Sequence, residues 1–322
     1  MTDPCALSPE PCSLVIGSRG SQLALWQANH IADQLRARGN EVSLEIIRTT
    51  GDAMQHLTFA QVGAGVPKGM FTKEIEEALY DRRIDLAVHS LKDLPTALDE
   101  PFSLAAIPAR ADPSDAFVSV NYENFASLHS GARIGTSSLR RQAQLRAHRG
   151  DLQYVEFRGN VDTRLRKLSE GEADAIILAT AGLERLGRTG YLRERFPALI
   201  LCPAAGQGAL AIETRSDDSA TIEALAFLDD QPTRFAVTAE RAALAALGGG
   251  CQVPIGIHCQ PSLEGFTITG SVASPDGHRM VRATLDHQHR AAPVALGQKL
   301  AARLLEQGAA SLLQSLPTFP MD

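Results

Sequence analysis

The feature of this chain that most restricts its fold is a repeated alternation of short apolar runs with helical patterns. An apolar run at 14–17 is followed by apolar residues that recur at helical spacing from Ser21 onward. Further apolar runs at 42–48 and 84–89 are separated by a predicted helix at 71–80. This order of strand, helix, strand, helix and strand favours a parallel sheet covered by helices.

The same alternation resumes in the middle of the chain and predicts a second α/β domain. The expected elements are a strand at 133–135, a helix at 139–148, a strand at 152–157, a helix at 161–168 and a strand at 175–179. The two openings also resemble each other, Ile16-Gly17-Ser18-Arg19 against Ile134-Gly135-Thr136-Ser137, a likeness that is suggestive only. Segment 203–209 is rich in small residues and is expected to return the chain to the first domain.

The last part of the chain follows a different pattern, which predicts a small α+β domain. After three glycines at 248–250, strands are expected at 266–272 and 279–285, followed by one long helix from Pro293 to about Leu313. At 322 residues, of which 44% are hydrophobic, the chain is long enough for two or three domains with buried cores.

Positive charge is concentrated in one stretch of an otherwise acidic chain. The net charge of −6 argues against a general nucleic-acid-binding protein, yet residues 131–170 hold nine Arg or Lys against four Asp or Glu. Phosphate would suit these arginines, but few aromatic residues lie among them to stack on bases. Small carboxylic acids therefore fit better, and nucleic acid stays the weaker alternative.

The cysteines favour a reduced, cytoplasmic setting. They are odd in number and irregularly spaced: Cys5, Cys12, Cys202, Cys251 and Cys259. The first 13 residues lack the basic and apolar runs of an export signal, and no run of about 18 apolar residues predicts a membrane span. We therefore expect a protein that is neither exported nor membrane-spanning.

The sharpest cluster of positive charge lies at the start of the predicted helix at 139–148. Free N–H groups already give a helix start partial positive charge, so Arg140 and Arg141 cost about 0.3 to 1 kcal/mol each unless an anion answers them. A charge-assisted contact with a carboxylate contributes about 1.5 to 3 kcal/mol, and the Thr136-Ser137-Ser138 loop adds further donors. The loop is therefore predicted to bind a carboxylate.

Arg19, Arg158 and Arg164 also lie at predicted strand ends. The planar fork of arginine pairs with carboxylates, and ligands of open α/β sheets bind at the carboxyl ends of strands. All five arginines are therefore expected in a cleft between the first two domains. The competing interpretation, a solvated helix face, is accepted for neighbours such as Arg146 and Arg166.

Lys92 and Asp93 follow the apolar run at 84–89, where the chain is expected to emerge into that cleft. A carboxylate beside cations stays ionised, and it stabilises developing positive charge or exchanges a proton with an amine leaving group. Spacing alone favours a helix cap or a surface salt bridge equally. Asp93 is nevertheless the best acid/base candidate in the chain.

Cys251 and Gln207 complete the candidates. Cys251 follows three glycines, and an exposed loop suits a nucleophile or an attachment point. A metal site with His258 and Cys259 lacks a fourth ligand and the usual spacing. Gln207 lies in the hinge-like segment 203–209, from which it is expected to reach the cleft. Cys202, between Leu201 and Pro203, is expected to be a small buried residue.

Six segments together resemble the porphobilinogen deaminase family, also called hydroxymethylbilane synthases. They are Ser18-Arg19-Gly20-Ser21-Gln22-Leu23-Ala24-Leu25-Trp26-Gln27-Ala28, Ala87-Val88-His89-Ser90-Leu91-Lys92-Asp93-Leu94-Pro95, Ile134-Gly135-Thr136-Ser137-Ser138-Leu139-Arg140-Arg141-Gln142, Arg158-Gly159-Asn160-Val161-Asp162-Thr163-Arg164-Leu165, Ala181-Gly182-Leu183-Glu184-Arg185-Leu186-Gly187 and Gly249-Gly250-Cys251-Gln252-Val253-Pro254-Ile255-Gly256. Because all six occur in family order, chance is a poor explanation. The last sixty residues add little.

The resemblance implies a transferase that condenses four porphobilinogen molecules into the linear tetrapyrrole hydroxymethylbilane, releasing four ammonia, in haem biosynthesis. A dipyrromethane cofactor, joined to Cys251 by a thioether, would serve as primer. Each pyrrole carries acetate and propionate groups, which agrees with the arginine argument. The implied architecture is two α/β domains of the periplasmic-binding-protein type joined by hinges, plus a small α+β domain, in a monomer.

The resemblance also assigns roles to individual residues. Asp93 is expected to be the catalytic residue that assists loss of ammonia, stabilises the cationic pyrrole and helps remove the final proton. Besides Cys251, the residues expected to hold the cofactor are Lys92, Ser138, Arg140, Arg141 and Arg158. The residues expected to bind substrate or product are Arg19, Ser21, Phe71, Arg158, Arg164, Arg185 and, from its position, Gln207. No metal, nucleic acid or membrane partner is expected.

The expected domain limits are 1–110 with 209–229, 111–208, and 230–322. Two departures from the family pattern stand out. Position 18 is serine where threonine is common, and Val66-Pro67 replaces a usual pair of glycines in the expected flap at about 55–70. The leading dozen residues are expected to be a disordered extension of no assignable role.

Two other functions compete with this interpretation. A non-catalytic two-domain carboxylate-binding protein would explain the hinged α/β pair and the arginines, but it leaves Cys251 and Asp93 without a role. A cysteine-dependent transferase would use Cys251 as its nucleophile and would carry no covalent adduct.

Overall fold

The computed structural model describes residues 12–53, 72–249, 253–288 and 292–314, which form three sheets with covering helices. The strands are β1 Ser13–Ser18, β2 Glu41–Ile46, β3 Leu86–Ser90, β4 Phe102–Ala106, β5 Asp115–Val118, β6 Arg133–Gly135, β7 Gln153–Val155, β8 Ala175–Ala179, β9 Leu192–Arg195, β10 Leu210–Arg215, β11 Ile255–Ser262, β12 Gly265–Ala273 and β13 Met280–Gln288. The helices are α1 Gln22–Arg36, α2 Thr50–Ala53, α3 Lys73–Tyr80, α4 Leu139–His148, α5 Val161–Ser169, α6 Thr180–Arg185, α7 Ser219–Leu225, α8 Gln231–Ala246, α9 Pro293–Glu306 and α10 Ala309–Gln314. Within these described ranges, no helix has the length and apolar character needed to cross a membrane.

The first sheet has the strand order β2-β1-β3-β10-β4 and mixes strand directions. β1 runs parallel to β2 and β3, but β10 pairs antiparallel with β3 and β4. The prediction of a parallel sheet is therefore wrong for the β10 pairings. β10 joins the first sheet only after the chain has built the second sheet. Its residues Glu213, Thr214 and Arg215 are polar although buried, so β10 lacks the continuous apolar run that predicts a buried strand.

The second sheet repeats this arrangement with the order β7-β6-β8-β5-β9. β6 is parallel to β7 and β8, whereas β5 pairs antiparallel with β8 and β9. The likeness between the two openings has a structural counterpart. β1 and β6 occupy matching positions, and each leads into a helix whose N-terminus is capped by a serine hydroxyl, Ser21 for α1 and Ser138 for α4.

The third sheet is an antiparallel meander, β11-β12-β13, packed against α8 and α9. The predicted small α+β unit is confirmed, with two corrections. β11 was not expected, and the single long helix from Pro293 is two helices, α9 and α10. Gly308 lies between them with φ +95°, a left-handed conformation that glycine adopts easily and that ends a helix.

Two linkers, 107–114 and 196–209, connect the first two sheets and touch each other. Gly208 has φ +87°, and a Cβ atom there would lie 2.5 Å from the Ala111 carbonyl oxygen. The Ala111 N–H donates to the Gly208 carbonyl over 3.2 Å. A side chain at position 208 would therefore separate the two linkers.

The third sheet docks on the second of these linkers. The Ile257 N–H donates to the Pro203 carbonyl over 2.8 Å, and a Cβ atom at Gly256 would lie 2.4 Å from the Cys202 carbonyl oxygen. Cys202 is completely buried, as its sequence position predicts. All three sheets therefore meet around the linkers.

Candidate active site

The chain leaves β3 in a 3-10 turn, Leu91–Asp93, that carries the predicted catalytic carboxylate. The Gln27 amide donates to the Ser90 hydroxyl over 2.8 Å, and the Leu91 N–H donates to the Ala209 carbonyl over 3.1 Å. Leu91 is completely buried, whereas Asp93 is exposed. The turn therefore presents Asp93 at the carboxyl end of β3, where open α/β sheets bind ligands.

Lys92 occupies the middle of the same turn. Its ammonium donates to the Gln207 amide oxygen over 3.4 Å. Burial lowers the pKa of Lys92 from 10.5 to about 8, and Arg141 and Arg140 add to this effect while Asp93 opposes it. An arriving carboxylate would stabilise the charged ammonium, so Lys92 is suited to anion binding.

Gln207 differs from the expectation that it reaches the cleft. Its side chain is 1% exposed, and its amide nitrogen donates to the Pro113 carbonyl over 2.7 Å and to the Asp115 carboxylate over 3.0 Å. Both ends of the amide are therefore engaged inside the protein. Gln207 links Lys92 to Asp115 across the linkers.

Arg140 and Arg141 lie in the first turn of α4, as predicted, with Ser138 as the capping residue. They are only 5% and 6% exposed, and both bind Asp115 on β5: Arg140 over 2.7 Å, and Arg141 through two nitrogens over 2.9 and 2.7 Å. Arg140 also donates to the Cys202 carbonyl over 2.7 Å. The anion that answers this helix start is thus a buried side chain of the protein.

Asp115 offsets only part of this charge. Burial alone would raise the pKa of its carboxyl, but Arg140 and Arg141 outweigh burial and hold that pKa well below its usual range. One carboxylate faces two guanidinium groups, so the cluster keeps one positive charge in excess. An anion site at this loop therefore remains a prediction, with one excess positive charge available in place of two.

Arg158 and Arg164 lie beyond β7 and in α5. Arg158 pairs with Glu156 over 2.5 Å. Burial lowers the pKa of Arg164 to about 10, with Arg141 and Arg158 adding to the effect and Asp93 opposing it. The buried Nε atom of Arg164 has no hydrogen-bond partner, which is costly unless a ligand supplies an acceptor.

Arg185 ends α6 and faces the first sheet. It donates to the Gly208 carbonyl over 2.7 Å, and its guanidinium lies 5.9 Å from the ring centroid of Trp26 on α1. Burial lowers the pKa of Arg185 to about 10. Ser21 caps α1 by accepting from the Ala24 N–H over 3.3 Å, and the half-buried Arg19 stands just before this cap. The contact of Arg185 with Trp26 brings α6 of the second sheet against α1, the helix that Ser21 caps.

Positive charge dominates the region around Asp93. The cations gathered there are Lys92, Arg140, Arg141, Arg158 and Arg164. Asp93 acts on Lys92, Arg141 and Arg164, Asp115 acts on Lys92, Arg140 and Arg141, and Glu156 pairs with Arg158. Cations still outnumber these acids, so the arrangement is able to bind several carboxylates around one exposed carboxylate. In the part of the chain that the structure describes, no cluster of three or more His, Cys, Asp or Glu suits a metal ion.

Three predicted features fall outside the described residues: Cys251, Phe71 and the flap at about 55–70. The expected N-terminal extension is wrong at its last residue, because Cys12 belongs to the fold. Its N–H donates to the Asn40 side chain over 3.0 Å, which places it beside the start of β2.

An ion pair that the sequence did not reveal lies where the three sheets meet. Arg110 on the first linker binds Glu240 on α8 through two nitrogens over 2.6 and 3.1 Å. The same carboxylate accepts from the Gly206 and Cys259 N–H groups, each over 2.7 Å, and lies 3.5 Å from the His258 ring. Glu240 therefore ties α8 and β11 to both linkers.

Acid is expected to destabilise the protein through Glu240. Burial would raise its pKa, but Arg110 and His258 outweigh burial and lower that pKa from 4.5 to about 2. Because the folded pKa lies below the unfolded one, the stabilisation is complete above about pH 4.5 and is lost as pH falls towards about 2, in total on the order of 3 kcal/mol.

Urea unfolding of the wild type and of Glu240→Gln at several pH values between about 6 and 2.5 measures this effect. The variant should be less stable near neutral pH and should lose less stability across this window. Parallel losses in the two proteins would assign the acid sensitivity to other groups.

Comparison with known proteins gives one consistent family. Residues 14–223 match the family model described as porphobilinogen deaminase, dipyromethane cofactor binding domain, and residues 234–306 match the porphobilinogen deaminase C-terminal domain. The porphobilinogen deaminase of Desulforudis audaxviator is 50% identical over 93% of this chain and 96% of its own. That of Trichlorobacter lovleyi is 51% identical over 95% of this chain and 97% of its own.

Solved structures align less closely. A periplasmic substrate-binding protein of an ABC transporter from Coxiella burnetii aligns with 68% of this chain and 93% of its own, at 14% identity and a TM-score of 0.42. The family assignment does not depend on this alignment.

Proposed function

This chain belongs to the porphobilinogen deaminase family, and we propose that Asp93 is the carboxylate through which it makes hydroxymethylbilane. The activity is that of a transferase, which joins four porphobilinogen molecules head to tail and releases four ammonia. Family membership supports this activity over a non-catalytic carboxylate-binding protein and over a transferase with a cysteine nucleophile.

The observation that carries the proposal for Asp93 is its exposure among cations. Its charge acts on Lys92, Arg141 and Arg164, which come from the turn after β3, from α4 and from α5. Cations that bind the acetate and propionate groups of a pyrrole would hold the rest of the ring beside this carboxylate. Asp93 is therefore the acidic group best placed to meet the reacting carbon and its amine.

The chain's residues fit the dipyrromethane cofactor of the family. A group that carries four carboxylates needs donors in excess of those the protein uses itself. The excess positive charge around Asp115 answers part of this requirement, and the unpartnered Nε of Arg164 is a further donor for the carboxylates of the rings that are added to the cofactor. When bound, the cofactor supplies the nucleophilic pyrrole carbon to which each new ring is joined.

We assign the cofactor to one covalent anchor and five polar contacts. These are Cys251 as covalent anchor, with Lys92, Ser138, Arg140, Arg141 and Arg158 as polar contacts. Because Asp115 and the Cys202 and Ile177 carbonyls engage Arg140 and Arg141, these two arginines supply mainly positive potential and only those donor atoms that remain available. Lys92 offers an ammonium whose pKa rises as a carboxylate approaches, so its positive charge becomes more stable when the ligand binds.

Substrate and growing product are assigned to a second set of residues, which shares Arg158 with the first. These are Arg19, Ser21, Phe71, Arg158, Arg164 and Arg185. Gln207 acts on the same site indirectly, because its buried amide holds Lys92 and Asp115. We therefore assign Gln207 a supporting role in place of a direct substrate contact.

Asp93 has three tasks in the proposed reaction. It holds the aminomethyl group of porphobilinogen, and it offsets the positive charge that develops on the substrate pyrrole as ammonia leaves. It then accepts the proton that is lost after the new carbon–carbon bond forms. Lys92 and the arginines keep the substrate carboxylates fixed while these steps occur.

We also propose the arrangement in which this activity operates. Domain one comprises 1–110 and 209–229, domain two 111–208, and domain three 230–322. The protein is proposed to be a cytoplasmic monomer whose small-molecule substrate is porphobilinogen, with no nucleic-acid partner.

The intact mass of the denatured protein tests the cofactor assignment. The wild type should carry an adduct of two condensed porphobilinogen units, which should be absent from Cys251→Ser. Cys12→Ser is the matched control and should keep the adduct, because Cys12 lies at the start of the first sheet. A bare wild-type mass that persists after incubation with porphobilinogen would contradict the assignment.

A further inference from the structure

Helix α8 packs directly against the turn that carries Asp93. Val237 on this helix is completely buried in one apolar cluster with Leu91 and Leu94, the residues on either side of Lys92 and Asp93. Leu94 is 4% exposed. The catalytic turn therefore rests on a helix of the C-terminal part of the chain.

Arg241 extends this contact one helical turn further along α8. Because residues four apart share a helix face, Arg241 lies on the same side as Val237. Its guanidinium donates to the Leu94 carbonyl over 3.4 Å and to the Pro95 carbonyl over 2.5 Å. These are the carbonyls of the two residues that immediately follow Asp93, so the contact restrains the chain where it leaves the catalytic residue.

The other contacts of α8 make it a rigid support. Glu240, next to Arg241, holds the helix to Arg110 and to the Gly206 N–H on the linkers. The helix ends at Ala246, five residues before Cys251. One helix thus joins the linkers, the turn of Asp93 and the segment that leads to Cys251.

We propose that Arg241 is a positioning residue that fixes Asp93 relative to helix α8. This inference rests on the proposed function, since it takes Asp93 as catalytic. A catalytic carboxylate must meet its substrate in a set geometry, and displacements near 1 Å are enough to cost about 100-fold in rate. Arg241 maintains that geometry by holding the carbonyls that follow Asp93 to a helix that Glu240 fixes to the linkers.

The test compares Arg241→Leu and Arg241→Lys with the matched control Arg234→Leu. Arg234 lies on the same helix and also donates to two backbone carbonyls, those of Leu104 and Ala105 in β4, and it pairs with Asp229 over 2.6 Å. Three quantities are measured on each protein: hydrogen exchange of the peptide covering 91–99, kcat and KM for porphobilinogen, and intact denatured mass. Hydrogen exchange reports the contact without any turnover.

Arg241→Leu should exchange faster in 91–99, lose about 10- to 100-fold in kcat with KM within about threefold of wild type, and keep the adduct. Arg241→Lys should have an exchange rate in 91–99 and a kcat between those of Arg241→Leu and the wild type. If the leucine variant does not fold, the lysine variant provides the test. Arg234→Leu should leave exchange in 91–99 and kcat unchanged.

Wild-type exchange, or faster exchange with wild-type kcat, in Arg241→Leu would overturn the positioning role. Failure of the proposed function would appear separately, as full activity of Asp93→Asn or a wild type without adduct.

Discussion

Replacement of Asp93 by asparagine is expected to lower kcat/KM by about 10² to 10⁴-fold while the protein stays folded and keeps its cofactor. Asparagine has nearly the same shape, but it carries no charge to stabilise the cationic pyrrole and cannot accept the final proton. Asp93 is exposed, so the stability change should stay within about 0.5 kcal/mol. Single-turnover formation of hydroxymethylbilane measures the loss of rate, and the intact mass shows whether the cofactor is kept.

Asp99→Asn is the matched control for this variant. Asp99 is also exposed and lies six residues further along the same connection, before β4. Its variant should keep nearly wild-type kcat/KM. If Asp93→Asn made hydroxymethylbilane at close to the wild-type rate, Asp93 would have no essential part in the reaction.

Replacement of Asp115 by asparagine should produce the largest loss of stability, about 3 to 5 kcal/mol. The side chain is completely buried, and Arg140 and Arg141, themselves almost fully buried, share it as their counter-charge. Asparagine fills the same volume, so the loss reflects two uncompensated guanidinium groups and not a cavity. The free energy of urea unfolding at neutral pH measures the effect.

Asp162→Asn provides the comparison. Asp162 pairs with Arg188 over 3.1 Å at the surface, where ion pairs contribute about 0 to 1 kcal/mol. The two variants should therefore differ by at least about 2 kcal/mol. A loss for Asp115→Asn no greater than that for Asp162→Asn would mean that solvent or local rearrangement compensates the arginines.

Local sequence patterns were sufficient for the elements that build the parallel part of each sheet. The β6 strand and the α4 helix lie where they were predicted, because an apolar run, a serine cap and helical spacing are all local signals. β5 and β10 were missed because they are short, carry polar residues and gain their stability from distant partners. Their pairing spans about sixty residues in one case and more than a hundred in the other.

The arginine loop illustrates a similar limit for the site. A helix start with Arg140 and Arg141 does require an anion, and this requirement was readable from the sequence. Nothing local to the loop identifies Asp115, which lies 25 residues earlier and begins a strand. Likewise, Arg110 and Glu240 are 130 residues apart, so only the fold brings them together.

The position of β10 between β3 and β4 determines the order in which the two α/β units become complete during synthesis. All five strands of the second sheet lie in one continuous stretch, from Asp115 to Arg195. The first sheet is complete only when residues 210–215 have been synthesised. Until these residues have left the ribosome, β3 and β4 lack β10, the strand with which both pair. The unit that begins at the N-terminus is therefore the later of the two to acquire its full set of strands, and its unfinished edges must stay unpaired in the interval.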